Sequence, residues 1–95
     1  MDYLKTLDIS NEEIDSLNNT LQKNEQEYVI LFPGIIKANY NILKDVGINN
    51  YKDIFLKHTH MFFMNPNKFQ AIFDKYDHDD LIRCLEKNGA IIEKL

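Results

Sequence analysis

Apolar positions recur at helical spacing along almost the whole chain, and capping residues, proline or glycine mark the breaks between periodic stretches. A short apolar tether of Tyr3, Leu4 and Leu7 comes first. Ser10-Asn11-Glu12-Glu13 then has the form of a capping box, in which the serine hydroxyl accepts the Glu13 amide and the Glu13 carboxylate reaches back. Ile9 and Ile14 on either side suit the accompanying apolar staple. Ile14, Leu17 and Leu21 lie on one stripe, which predicts a helix running to about Asn24.

Tyr28–Phe32 breaks this pattern. Five apolar residues in a row leave no polar face, so the run reads as covered on both sides by other segments. Its β-branched and aromatic content suits a strand as well as a helix, yet no second run of similar quality exists to pair with it. A buried helix ending before Pro33 is the better reading, because the residue before proline is pushed out of helical conformation. Gly34 relaxes the turn. The next helix carries Tyr40, Leu43 and Val46 and ends at Gly47, placed as a left-handed cap.

The second half repeats this rhythm. Asn49 or Asn50 caps a helix carrying Tyr51, Ile54, Phe55, His58, and Met61 or Phe62. Asn65-Pro66 caps the next, with proline at the first position and Phe69, Ile72, Phe73 and Tyr76 on one face. Asp77 caps a third, with Asp79 and Asp80 in its first turn, Leu81, Cys84 and Leu85 inward, and Asn88-Gly89 as its stop. Ala90–Leu95 is a short final helix or an extended tail. These stretches predict an all-α fold: one compact domain over residues 1–95, built of five to six short helices arranged as helical hairpins.

ILFPGIIKANYNILKDVGINN and FLKHTHMFFMNPNKFQAIFDKYDHDD share a rhythm in which Leu43 answers Ile72 and Gly47 answers Tyr76. Over residues 28–76 this resembles the helical repeat of the mitochondrial transcription termination factor family. The residues that carry the resemblance are Leu31-Phe32-Pro33-Gly34-Ile35-Ile36 and Leu43-Lys44-Asp45-Val46-Gly47-Ile48. It implies stacked helical repeats and, from the family's basic concave face, a nucleic-acid partner. The second copy has His60 where proline is expected and Tyr76 where glycine is expected. Lysines 52, 57, 68 and 75 form no stripe.

Charge narrows the functions further. Residues 1–27 hold seven acids against Lys5 and Lys23, a net of −5, whereas residues 28–95 hold eight acids and nine bases. An acidic N-terminal third repels phosphate and favours a basic partner or simple solubility. The single cysteine, Cys84, excludes an internal disulfide framework and fits a reducing compartment. No apolar run approaches the roughly 18 residues of a membrane span, and MDYLKTLDIS lacks the form of a signal peptide. A cytoplasmic location and no membrane partner are expected.

Little in the chain points to catalysis. His58-Thr59-His60 would bring two imidazoles to one ion on a strand, but on a helix they diverge by about 200°. Adding His78 and Cys84 draws a four-ligand set whose spacing matches no zinc pattern. Cys84 reads as an inert core thiol. Asp77, Asp79 and Asp80 are explained by their place in a first helical turn. No P-loop, GxGxxG, GxSxG or HExxH occurs. A non-enzymatic chain with no metal and no cofactor is expected.

Two functional classes remain. The leading one is a small protein-interaction module: a regulator, adaptor or inhibitor acting through an apolar helical surface. Met61-Phe62-Phe63-Met64 puts four large apolar side chains in succession, more than one side of a helix can bury, and methionines adapt to irregular partners. These four residues, with Glu12 and Glu13 to steer a basic partner, form the expected binding surface, and the expected partner is another protein or a second copy of the chain. The alternative is a nucleic-acid-binding helical-repeat or helix-turn-helix protein. It would present Asn67, Lys68, Gln70 and Lys75, against a net charge of −4.

Overall fold

The computed structural model describes all 95 residues as six α-helices and three 3-10 turns, with no strand. The all-α expectation holds. Helix α1 (Asn11–Thr20) begins on the expected capping box: the Glu13 amide donates to Ser10 Oγ at 3.1 Å and the Ser10 amide to the Glu13 carboxylate at 2.9 Å. It stops at Thr20, short of Asn24, because a second start follows at once. There the Gln22 amide donates to the Glu25 carboxylate at 3.0 Å, and α2 (Lys23–Leu31) opens.

A single residue, Phe32, joins α2 to α3 (Pro33–Val46). Its φ of −124° and ψ of 57° are non-helical, as its place before proline requires. Pro33 occupies the first helical position and Gly34 lies inside the first turn of α3, not in a separate loop. Helix α3 ends at Gly47 with φ 101°, the left-handed cap expected there.

After α4 (Tyr51–Lys57) the chain tightens into a 3-10 turn over Thr59–Phe63, where the sequence predicts one continuous helix. The Thr59 hydroxyl donates back to the Phe55 carbonyl at 2.7 Å, which holds the tightened turn against α4. Helix α5 (Pro66–Asp74) is capped by the Asn65 side chain, which accepts the Asn67 amide at 2.8 Å. Asp77 caps α6 (His78–Lys87) by accepting the Asp80 amide at 3.1 Å. The C-terminal piece resolves as a 3-10 turn over Gly89–Lys94.

Helix α3 is the spine. It buries Ile36, Asn39, Tyr40 and Leu43 and packs most extensively on α5, with α4 and the Thr59–Phe63 turn beside it. Both helices of that central pair open on proline, Pro33 and Pro66. Five aromatic rings run through the interior in the order Tyr40, Phe55, Phe62, Phe69, Phe73. Successive centroids are 5.3, 5.0, 5.2 and 4.9 Å apart, and three of the four contacts are edge-to-face. Such pairs contribute about 0.5–1.5 kcal/mol each beyond the area they bury. One cluster of 17 buried apolar residues results.

Hydroxyls tie the N-terminal turn (Asp2–Leu7) to this core. Tyr40 donates to the Leu7 carbonyl at 3.1 Å and Tyr3 to the Val29 carbonyl. Burial pushes the Tyr3 hydroxyl up to about 12 and raises that of Tyr40 as well, so both stay protonated donors.

Two inward assignments fail on α5 and α6. Cys84 is exposed, because α6 lies at the edge of the bundle and reaches the core only through Leu81 and Leu85. Tyr76 is exposed because α5 ends at Asp74, two residues before the stripe would return it to the inner face.

Candidate functional site

The corner between α2 and α3 carries the largest departure from expectation. A helix advances 100° per residue, so among Tyr28–Leu31 only one position can point straight at the core. That position is Val29, fully buried. Ile30 and Leu31 turn outward and are 53% and 69% exposed, and Phe32 at the corner is 45% exposed. The run is therefore not covered on both sides. It presents three large apolar side chains in succession, continued by exposed Pro33 and Gly34.

Beneath them lies an aromatic ledge. The Tyr28 ring stacks on Phe63 with centroids 4.4 Å apart and meets Phe32 at 4.7 Å. Its hydroxyl donates to the Phe63 carbonyl at 2.7 Å. No charged residue occurs from Tyr28 to Ile36 or from Met61 to Asn67, the two segments that meet here.

The expected binding residues take other roles. Phe62 is fully buried and belongs to the aromatic interior, so it cannot face a partner. Met61, Phe63 and Met64 are half-buried against the core. The segment is drawn in by Asn39, a buried amide whose Nδ2 donates to the Phe62 and Met64 carbonyls, both at 2.8 Å. Glu12 is exposed on α1. Glu13 is engaged in the cap and lies 3.6 Å from the Lys52 ammonium; the hydrogen bond from the Ser10 amide is the chief cause holding its carboxyl below the usual range. Glu12 and Glu13 thus lie on α1, away in sequence from the apolar corner.

On α5, Asn67, Lys68 and Lys75 are exposed, while Gln70 is half-buried and donates to Asp74 at 3.0 Å. Asp77, Asp79 and Asp80 follow directly. Eight residues separate α4 from α5, including a 3-10 turn, where a helix-turn-helix has a turn of three or four.

The histidines meet, contrary to the helical expectation. Helix α4 ends at Lys57, so His58 and His60 are no longer governed by its 100° step. Both turn to Glu93: His58 Nδ1 is 2.6 Å from Oε2 and His60 Nε2 is 3.0 Å from Oε1. The His58 hydrogen bond is the main reason the Glu93 carboxyl is held below the usual carboxylate range. No set of three histidine, cysteine, aspartate or glutamate side chains is arranged to hold a metal ion.

Two further grooves are lined mainly by polar residues, each with one ion pair along its wall. One of about 450 Å³ between α1 and α4 is lined by Ser16, Thr20, Leu56 and the Lys57–Asp53 pair, whose charges are 3.2 Å apart. The other, about 530 Å³, lies along the outer face of α6 at Asp80, Arg83, Cys84 and Lys87, with Arg83 and Asp80 paired. No helix is long and apolar enough to cross a membrane.

The exposed corner was accessible to sequence reasoning. The argument that a helix cannot bury four consecutive apolar residues applies to Tyr28–Phe32 as well as to Met61–Met64. The missing signal was the phase of α2, set by the Gln22–Glu25 start. Glu93 carried no local signal, since its partners lie 33 and 35 residues earlier. No family model, curated protein or solved structure matches the chain.

Proposed function

We propose that this chain is a small non-enzymatic interaction protein, and that it binds a protein partner by inserting the Ile30-Leu31-Phe32 corner into an apolar groove. The observation that carries this reading is the exposure of three consecutive large apolar side chains at the junction of two helices. Residues of this size offer roughly 150–250 Å² each, so the exposed part is on the order of 300 Å². That is the size of the largest apolar patch on a typical monomer, a feature that is often functional.

Area and charge define the partner. Two copies pairing corner to corner would bury only about 600 Å², half of what a standard stable interface needs. A groove that also wraps the last turn of α2 and the first turn of α3 reaches the required area. The corner has no charge, so it suits an uncharged, apolar groove and gains nothing from a basic or acidic one.

The test is a double variant, Leu31→Ser with Phe32→Ser, beside Glu12→Gln as a control on the acidic face. Each is used to capture proteins from the native host, with circular dichroism of the pure chains alongside. A single stoichiometric protein held by wild type and by Glu12→Gln, and lost at least about tenfold by the double variant, is expected. Equal capture by a folded double variant would place the interface elsewhere.

A further inference from the structure

We propose that the Gly89–Lys94 turn is a strap closed by an acid-sensitive latch, in which the Glu93 carboxylate is clamped between His58 and His60. The strap is fixed at three points. At its start Gly89 is pressed on α4, so closely that a Cβ there would meet Ile54 Cγ1 at 2.9 Å. In the middle Ile92 is buried in the core. At its end Glu93 takes both histidines.

Those two bonds are the only hydrogen bonds between residues 89–95 and any residue before Asn88. Every other one the strap makes is internal or to Asn88 itself. Space remains on both sides of it. A groove of about 180 Å³ runs beside the contact of Gly89 with α4, lined by Asp53, Lys57 and His58 and by residues 88–90, and an apolar cleft of about 220 Å³ lies between Ile91, Leu95 and α6 at Leu81. The latch thus acts on a segment seated by apolar contacts at Gly89, Ile91, Ile92 and Leu95, and supplies its only hydrogen bonds to the chain before Asn88.

The direction of the pH effect follows from the carboxylate. Its folded-state titration lies below the unfolded one, so the latch is present above the ordinary carboxylate range and is lost as pH falls through the lowered value. Protonating Glu93 removes the negative charge that both imidazoles face. The other charges on the packed elements do not substitute for it. Asp53 and Lys57 on α4 pair with each other, Glu86 on α6 accepts the Asn49 amide at 2.7 Å, and Lys87 and Lys94 make no ion pair. The Thr59–Phe63 turn contributes no charge besides His60.

The experiment is amide hydrogen exchange on the full chain, wild type and Glu93→Gln, in steps from pH 6 down to pH 2, with α3 amides as the internal reference. At pH 6 the wild-type strap should be about three- to fivefold better protected, relative to α3, than in Glu93→Gln, the range of exposed charge-assisted pairs. As the acid end of the series is approached the wild-type strap should fall to the level of the variant. Equal strap protection in the two chains at pH 6 overturns the proposal. So does a wild-type advantage that persists undiminished to pH 2. Should the chain unfold within the series, seen as loss of protection in α3, the pH 6 comparison decides alone.

Discussion

Two unbroken runs of large apolar residues, Tyr28–Phe32 and Met61–Met64, end in opposite places. The first keeps Val29 inside and turns Ile30, Leu31 and Phe32 out to solvent. The second buries Phe62 and draws Met61, Phe63 and Met64 onto the core. Hydrophobicity does not separate them. What separates them is the backbone and what holds it. Tyr28–Leu31 is the last turn of a regular α-helix, its amides donate within the helix, and its one side-chain donor, the Tyr3 hydroxyl, reaches the Val29 carbonyl on the inner side and leaves the outer side free. The Thr59–Phe63 turn and its Met64 cap leave carbonyls free, and three of these, at Phe62, Phe63 and Met64, accept side-chain donors from α2 and α3. Irregular backbone next to a core demands polar partners, and those partners carry the apolar side chains inward with it.

The sharpest break of this comparison is Phe62→Ala. Phe62 stands in the middle of the five-ring series, against Phe55 and Phe69, and truncation leaves a cavity between α3 and α5. The expected loss is about 3–5 kcal/mol by urea unfolding. For a domain of this size that removes much of a stability of roughly 5–15 kcal/mol. A loss below about 1.5 kcal/mol would show that the second run is no more buried than the first.

Asn39→Leu tests the polar half of the argument. The amide is fully buried and its two donor contacts hold the Phe62 and Met64 carbonyls, whereas its Oδ1 has no donor at all. Leucine nearly matches the volume and abandons both carbonyls, so the expected loss is about 2–3 kcal/mol, the cost of stranding buried acceptors. Hydrogen exchange should quicken around residues 59–64 more than in α6. Unchanged stability would mean that packing alone seats the turn.

The same contrast explains what was legible in the sequence. Most features governed by contacts within four residues read correctly: the Ser10–Glu13 box, the left-handed cap at Gly47, and the starts at Asn65-Pro66 and Asp77, though the equally local Gln22–Glu25 start did not. Helix class followed from periodicity, and so did most of the core, from Ile14 and Leu17 to Phe69 and Phe73. Features decided by distant partners did not read. The seating of Met61–Met64 on the core and the meeting of His58 and His60 at Glu93 depend on residues 23 to 35 positions away. Cys84 was misplaced for a milder reason. An edge helix buries a narrower stripe than a central one, and sequence spacing does not reveal which helix is at the edge.

The smallest expected effect is on the exposed side. Leu31 is the last residue of α2 and 69% exposed, so little of its side chain leaves water when the chain folds. Serine is a poorer helix former by about 0.5 kcal/mol in a helix interior, but at the final helical position, next to a non-helical Phe32, most of that penalty does not apply. Leu31→Ser should therefore change stability by no more than about 0.5 kcal/mol in either direction, with the urea m-value unaltered. Set beside Phe62→Ala, it is the direct measure of how differently two runs of large apolar residues are used. A loss above about 1.5 kcal/mol would mean that Leu31 is covered in solution, and the corner would then be core and not surface.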